Sequence, residues 1–428
     1  MTGKHFNKQF EKRQRITKET LVIGMDIGCQ FNALCLMSKD GEVLGKYPKI
    51  YNTRRGFDYF VKITEEAKAN HGLKDVLIGM EPTGHYWRKI AYFAKDCGYE
   101  VRFIKTTALK HQRELDESSP SKTDIKDAVV IANIVREGKY IDTVIEDDIF
   151  RELRTLCHLR ERILRYSIGS KNTLKALLDD YFPEVKSIFY SMESKGLLEI
   201  LKICPFPEDV QSFGLEKLTY LLKAATRRNA TAEEKAVQVY IAAKESVGLK
   251  RVTVSDRFRL KTYLKEIENS RDQLKEIEAE IKRLLSEVEA SEYMLSIPGI
   301  GIISCATLLG ELGNPINFKN PKQIVKYAGY DPREDDSGLR IGRKIISKKG
   351  RWLLRKCLYF IAMQSIHWSD YFKAYYQKKL DLKNCRGALL TKKEALCAVV
   401  IKLVKVIFAL LRDGRKFTEK SPSLVLVA

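Results

Sequence analysis

The hydrophobic pattern of this chain changes period once, near residue 149. From residue 21 to about 145, short β-branched apolar runs alternate with helical stretches, whereas 149–290 hold almost no strand pattern. Side chains repeat every two residues in a strand and every 3.6 in a helix, so this change marks a change of architecture. LVIGMDIG (21–28), FNALCLMS (31–38) and EVLGKYPKI (42–50) read as three strands, the last two joined at the hairpin pair Asp40-Gly41. A helix over 54–70, a strand DVLIGME (75–81), a helix HYWRKIAYFAKDCGY (85–99) and a strand EVRFIK (100–105) follow. Thr123-Asp124 then opens a helix running to about Arg136. The expected fold class is α/β plus α: an N-terminal mixed sheet with helices, a central helical region, and a mostly helical C-terminal domain.

At about 150 residues per domain, 428 residues correspond to roughly two or three domains. The expected divisions are a basic leader (1–20), the sheet domain (21–148), the helical region (149–290), a compact C-terminal domain (291–416) and a loosely attached tail (417–428). The leader lacks the apolar stretch of a secretory signal. The longest apolar run of the C-terminal helix, Ala395 to Ile401, is broken by Lys402 and Lys405, well short of the about 20 residues of a membrane span. Nine cysteines show no C-x-x-C pair and no Cys-His cluster at zinc spacing, which reads as reduced thiols of a cytoplasmic protein. With 76 Lys+Arg against 55 Asp+Glu the net charge is +21, favouring a polyanionic partner, nucleic acid or an anionic membrane surface.

Within the helical region, 150–180 carries Arg151, Arg154, Arg160, Arg162, Arg165, Lys171 and Lys175 against few acids. This helix reads either as a nucleic-acid contact or as a solvated face. Residues 258–290 place Leu260, Leu264, Ile267, Leu274, Ile277, Ile281, Leu285 and Val288 at spacings near three and four. That seam suits a coiled coil between copies or one helix of a bundle within the chain. The segment 187–250 is a helical insertion without an assigned role.

Four acids stand out. Asp26 lies in an apolar strand, where an unpaired carboxylate is expensive to bury. Glu81 ends a second apolar strand, and Asp124 and Asp127 share one face at the start of a helix. Each has a structural explanation taken singly: a helix cap, a first-turn charge, a strand end in water. Were they to converge, each pair at about 4 Å would repel by roughly 4 kcal/mol at an effective dielectric of 20. Divalent cations relieve that repulsion, and oxygen-only ligands select Mg²⁺ or Mn²⁺.

A loop in the C-terminal domain holds Asp336-Ser337-Gly338, followed by Arg340, Arg343, Lys344, Lys348, Lys349, Arg351, Arg355 and Lys356, with no acid from Gly338 to Tyr359. Guanidinium groups beside a hydroxyl suit phosphate chemistry, but on residues alone Ser337 is equally a turn serine ahead of a DNA-contacting helix. Ser347 is a second hydroxyl placed to contact phosphate. Ile297-Pro-Gly-Ile-Gly301 reads as a helix-hairpin-helix segment or as a plain turn between core helices.

GMDIG, MEPTGHYW and SKTDIKDAVVIA resemble the RuvC-like domain of the Asp-Glu-Asp-Asp (DEDD) insertion-sequence transposases of the IS one-ten group, the bridge-RNA-guided serine recombinases. AGYDP, SG and ISKKGRWLLRK resemble the C-terminal transposase domain of the same proteins, and the basic helix matches LRxxxRERxxL…NxLxALLDxYFPE. The resemblance implies an RNase H-like N-terminal fold with Asp26, Glu81, Asp124 and Asp127 as a metal-binding catalytic tetrad. It implies Ser337 as the nucleophile of a phosphoserine intermediate, although Asp336 stands where relatives often have a second serine. It also implies Mg²⁺ (or Mn²⁺), donor and target DNA, a non-coding bridge RNA, and a dimer or tetramer. Oligomerisation through 258–290 would let one subunit's acids meet another's serine. Rival readings are a RuvC-like junction endonuclease using metal-activated water, a sugar-kinase-like ATPase, and an architectural nucleic-acid binder. The ATPase reading lacks a second Gly-rich phosphate loop and a G-x-x-x-x-G-K-[ST] motif.

Overall fold

The computed structural model describes residues 4–82, 84–116, 123–141, 148–225, 229–333, 345–383 and 387–419. They belong to two compact units, Met1–Ile145 and Glu146–Ala428.

The first unit is built on five strands, β1 (Thr20–Asp26), β2 (Phe31–Met37), β3 (Lys49–Tyr51), β4 (Asp75–Met80) and β5 (Glu100–Phe103). Their order across the sheet is β3-β2-β1-β4-β5. β1, β2 and β3 are antiparallel to one another in turn, whereas β4 runs parallel to β1 and β5 parallel to β4. The sheet is therefore mixed, as the sequence predicts. Alternation along each strand sends side chains to two covered faces. Leu21, Ile23, Met25, Ile78 and Met80 pack with Phe60 and Ile90 of the helices Arg54–His71 and Trp87–Asp96. Val22 and Leu77 face Ala128, Ile131, Ala132 and Val135 of the helix Asp124–Arg136.

Three local differences have physical causes. Only Lys49–Tyr51 of the expected third strand is a strand, with an isolated bridge from Met37 to Val43 before it. Gly45 at φ +92° and Pro48, which has no N–H to give, interrupt the run between them. The basic leader contains a helix, Lys4–Gln14, anchored where Lys12 Nζ donates to Tyr140 O at 2.7 Å and where Ile16 is buried. A further helix, Thr106–Asp116, occupies a stretch with weak periodicity.

The spine of the second unit is a pair of long helices, Asp148–Tyr181 and Val254–Ser286. They run antiparallel: Arg160 meets Glu278, Ser170 Oγ donates to Glu266, and Tyr181 Oη donates to Asp256. Leu260, Leu264, Ile267, Ile277, Ile281 and Leu285 are buried, while Leu274 is half-buried. The predicted seam thus closes within the chain as a helical hairpin, and any assembly of copies through 258–290 would have to use its outer face, which is mostly polar but carries the exposed Phe258.

A core lies at each end of this pair. At one end Leu153 and Ile281 pack with Leu308, Leu358 and Leu403 of the helices Ile302–Leu312, Trp352–Trp368 and Lys392–Asp413. At the other, Leu178 and Leu264 pack with Leu197, Leu218 and Ala236 of the helical insertion. Phe417 stacks on Phe372 at a centroid distance of 5.9 Å and its N–H donates to Ser296 Oγ, so the start of the tail is docked rather than loose. Residues 420–428 lie outside the described residues. Among the described residues no helix is long and apolar enough to cross a membrane.

Candidate active site and nucleic-acid surface

Two strand ends carry the first pair of acids. The parallel register pairs Ile23 with Ile78, Gly24 with Gly79 and Met25 with Met80. Asp26 and Glu81 are the next residues, so the two carboxylates leave neighbouring strands side by side, at a strand spacing of about 4.8 Å. By alternation Asp26 falls on the face of Gly24 and Gly79, which the helix Asp124–Arg136 covers, and Glu81 follows one residue past the end of β4. That helix comes close because the two glycines leave room: a Cβ on Gly24 would lie 2.0 Å from Ala128 O, and one on Gly79 2.2 Å from Val135 Cγ2. Asp26 is the last residue of β1 and half-buried, not enclosed within the strand as its apolar context predicts.

Thr123 caps the covering helix, its side chain accepting from Lys126 N. Asp124 is exposed, whereas Asp127 is 2% exposed. Asp127 Oδ1 sits 2.5 Å from Arg113 Nη2, yet neither that oxygen nor Arg113 Nε has a well-directed hydrogen bond. A guanidinium from the helix Thr106–Asp116 therefore supplies the positive charge beside this buried carboxylate. Nothing in the spacing of the sequence marks Arg113.

The turn after β1 is pinned by two amides. Asn32, fully buried, accepts from Gly28 N and donates to Asn52 Oδ1, while Asn52 Nδ2 donates to Gly28 O and Cys29 O. A hydrogen bond with Cys29 holds the Tyr86 phenol above its usual range, linking this turn to the loop after β4.

Among the described residues, no three carboxylate, imidazole or thiol groups gather in metal-ligand geometry. The chemistry of the acids nevertheless suits a hard divalent cation. The donors are all oxygen, two leave adjacent strands side by side, and the buried Asp127 oxygen already faces a cation without filling its hydrogen-bonding capacity.

In the second unit, many of the predicted basic contacts are tied to acids. Arg160 pairs with Glu278 at 2.7 Å, Arg165 with Glu161 at 3.5 Å and Lys171 with Glu193 at 2.9 Å. Arg154 and Arg351 approach Glu311, at 3.7 Å and 3.8 Å, and His158 Nε2 lies 2.6 Å from the same carboxylate, which is 1% exposed. Glu311 is thus a buried hub that orients cations from two elements, and sequence reasoning missed it. Arg151 is half-buried; Arg162, Lys175, Lys348 and Lys349 are exposed.

Ser337, Arg340, Arg343 and Lys344 lie outside the described residues. The segment 334–344 that carries them joins β6 (Pro332–Arg333) to β7 (Ile345–Ile346), which pair antiparallel. Ser347 donates to Asp331 Oδ1 at 2.5 Å, so its hydroxyl proton is engaged within the protein rather than offered to phosphate. Lys348 is the one non-glycine residue at positive φ (54°) among the described residues, fixed where its N–H donates to Gly329 O and its carbonyl accepts from Arg355 Nη1. Ile297 and Ile300 of the IPGIG turn are buried between the helices Ala290–Leu295 and Ile302–Leu312, and Ser365 Oγ donates to Pro298 O.

Comparison with known proteins bears on these positions. Residues 23–183 match the DEDD transposase family of the IS110 type, and 291–377 match the family described as Transposase IS116/IS110/IS902; together the two matches cover more than half of the chain. A protein of insertion element IS110 from Streptomyces coelicolor is 24% identical over 338 residues, 78% of this chain and 81% of its own length. The transposase for insertion sequence element IS1111A from Coxiella burnetii is 24% identical over 416 residues, 94% of this chain and 92% of its own. A pilin gene-inverting protein from Moraxella lacunata is 28% identical over 154 residues, 35% of this chain and 46% of its own. The first family match spans all four acids and the second spans Ser337. The chain belongs to the IS110 family of transposases, enzymes that cut and rejoin DNA.

Proposed function

We propose that this transposase mobilises an insertion sequence through a covalent phosphoserine intermediate at Ser337, assisted by Asp26, Glu81, Asp124 and Asp127 holding Mg²⁺ or Mn²⁺. The observation that carries the reading is the in-register exit of Asp26 and Glu81 from neighbouring parallel strands beneath a helix whose first turn bears the other two acids. The strand order β3-β2-β1-β4-β5, antiparallel on one side and parallel on the other, supports an RNase H-like sheet. Bound to these carboxylates, a divalent cation would polarise the scissile phosphate and favour the serine alkoxide.

In the proposed step, Ser337 Oγ bonds to phosphorus while the bond to one sugar oxygen breaks, and the serine proton ends on that departing oxygen through solvent. Attack by a sugar hydroxyl of the exchanged strand reverses these events and frees the serine. Exposed Arg162, Lys175, Lys348 and Lys349, together with Arg340 and Arg343, would hold backbone phosphates. A bridge RNA that reads sequence by base pairing would leave the protein chiefly a backbone-gripping role, which the net charge of +21 suits. A homo-oligomer would bring acids and serine of different subunits to one phosphodiester.

The test is capture of the intermediate. Wild-type protein with radiolabelled element DNA, its RNA and Mg²⁺ should give a protein–DNA adduct that survives denaturing electrophoresis, and Ser337→Ala should give none while still binding both nucleic acids. An adduct that persists in Ser337→Ala would discard this nucleophile. Cleavage without any adduct in the wild type would favour metal-activated water, the chemistry of a junction endonuclease.

A further inference from the structure

The helix Trp352–Trp368 is apolar on more than its core side. Leu354, Leu358, Ile361 and Ala362 are buried, yet Trp352, Phe360, Met363 and Trp368 are 41%, 52%, 41% and 67% exposed. At 100° per residue, Trp352, Phe360 and Met363 fall within about 80° of one another on one outward face, whereas Trp368, the last residue of the helix, lies about 160° round from Trp352 and is exposed because the helix ends there. Trp352 and Phe360 are eight residues apart, about 12 Å along the axis. A helix of a water-facing layer gains nothing by keeping two large rings and a methionine outward in this way.

The helix and the residues that lead into it carry no negative charge. From Ile345 to Ser369 the chain has no acid, and Lys348, Lys349 and Arg351 precede the first ring. The Arg165 guanidinium lies over the Trp352 ring at 4.6 Å. Glu161, the nearby acid, is neutralised by Lys356 at 2.5 Å and Arg165 at 3.5 Å. Rings interleaved with cations are the surface on which bases stack while phosphates are neutralised, and paired bases in a duplex do not offer their faces to such rings. A second copy of the chain would bring the same positive charge against itself.

We infer that the outward face of Trp352–Trp368 is a stacking platform for the unpaired bases of single-stranded DNA. The inference rests on the reading of this chain as an enzyme that opens and exchanges DNA strands, and it adds a site for the strand while it is unpaired.

The full-length protein is titrated with a fluorescent 20-nucleotide oligo-dT, with oligo-rU of the same length, and with a blunt DNA duplex. Intrinsic tryptophan fluorescence should quench with oligo-dT and not with the duplex. Trp352→Ala with Phe360→Ala should lower oligo-dT affinity by about tenfold or more, leaving duplex affinity and the slope of log affinity against log salt unchanged. Trp352→Phe with Phe360→Tyr should retain most of the affinity, which separates stacking from a folding defect. Equal loss for duplex and single strand, no loss at all, a preference of the platform for oligo-rU, or a change of oligomeric state in the alanine variant would each overturn the proposal. Failure of the wild type to bind any of the three nucleic acids would instead remove the nucleic-acid reading beneath it.

Discussion

Replacing Arg113 by methionine tests the electrostatics of the acidic site directly. Arg113 Nη2 lies 2.5 Å from Asp127 Oδ1, and the carboxylate is 2% exposed while the arginine side chain is 30% exposed. Removing one partner of a buried ion pair costs about 3–5 kcal/mol, because the remaining charge is left without compensation. Partial exposure of Arg113 places the expected loss near the lower end, about 3 kcal/mol. The assay is urea unfolding in the presence of a chelator, with amide hydrogen exchange of β1 and of Asp124–Arg136 reporting the first unit specifically. Asp127→Asn should cost less, since a neutral amide needs no counter-charge. The double variant should recover much of the loss, with a coupling of about 2–3 kcal/mol across the cycle. Mg²⁺ at a hundredfold its dissociation constant stabilises the form that binds it by about 2.7 kcal/mol, and at any fixed concentration it should stabilise Arg113→Met more than the wild type, because loss of the guanidinium leaves Asp127 to the cation. Additive losses in the cycle, or equal responses to Mg²⁺ in variant and wild type, would refute the idea that Arg113 stands beside Asp127 as its counter-charge.

Two other perturbations probe positions on which the site and the spine depend. Gly24→Ala would put a methyl group 2.0 Å from Ala128 O, so the covering helix must shift; thermal melting should show a loss of at least about 1–3 kcal/mol, and unchanged stability would mean the helix is not held against β1. In the spine, hydrogen bonds from Thr253 and then Tyr181 hold the Asp256 carboxyl well below its ordinary value of 3.8, at about 2. A depressed carboxyl contributes stability above its unfolded value that is lost as pH falls through the folded one, so the hairpin should weaken between about pH 4 and pH 2. Circular-dichroism melts at pH 5 and pH 2.5 should show a smaller acid-induced drop in Asp256→Asn than in the wild type; equal drops would remove Asp256 as the cause.

Much of the sheet is legible in the sequence because its signals are local. Thr123 before Asp124 marks a capped helix start, and β-branched runs ending at Asp26 and Glu81 mark two strands. The pairing of those strands is also written in the chain, as the near-repeat Ile-Gly-Met-Asp (23–26) and Ile-Gly-Met-Glu (78–81), which the parallel register sets side by side. Arg113 and Glu311 are not legible, because their partners are brought together by tertiary packing: His158 and Glu311 are 153 residues apart. The long seam of 258–290 is recognisable as a helix with an apolar stripe, but periodicity does not say whether the stripe meets another copy or the same chain. The third strand fails for a local reason, since Gly45 and Pro48 outweigh the valine and leucine beside them.

The antiparallel pair Asp148–Tyr181 and Val254–Ser286 acts as a stalk with a helical head packed on one end. The chain departs at Phe182 and re-enters at Val254, and the contact of Tyr181 with Asp256 shows how near those two points are. The helices between them pack into a core shared with Leu174, Leu178, Leu260 and Leu264 at that end of the pair, and most of them lie beyond residues 23–183 and ahead of 291–377, the stretches that carry the family match. Such a head can lengthen or shrink across a lineage so long as it keeps an apolar surface against Leu178 and Leu264. Differences in length among relatives should therefore gather at this junction, making it the natural place for each element to acquire its own attachments.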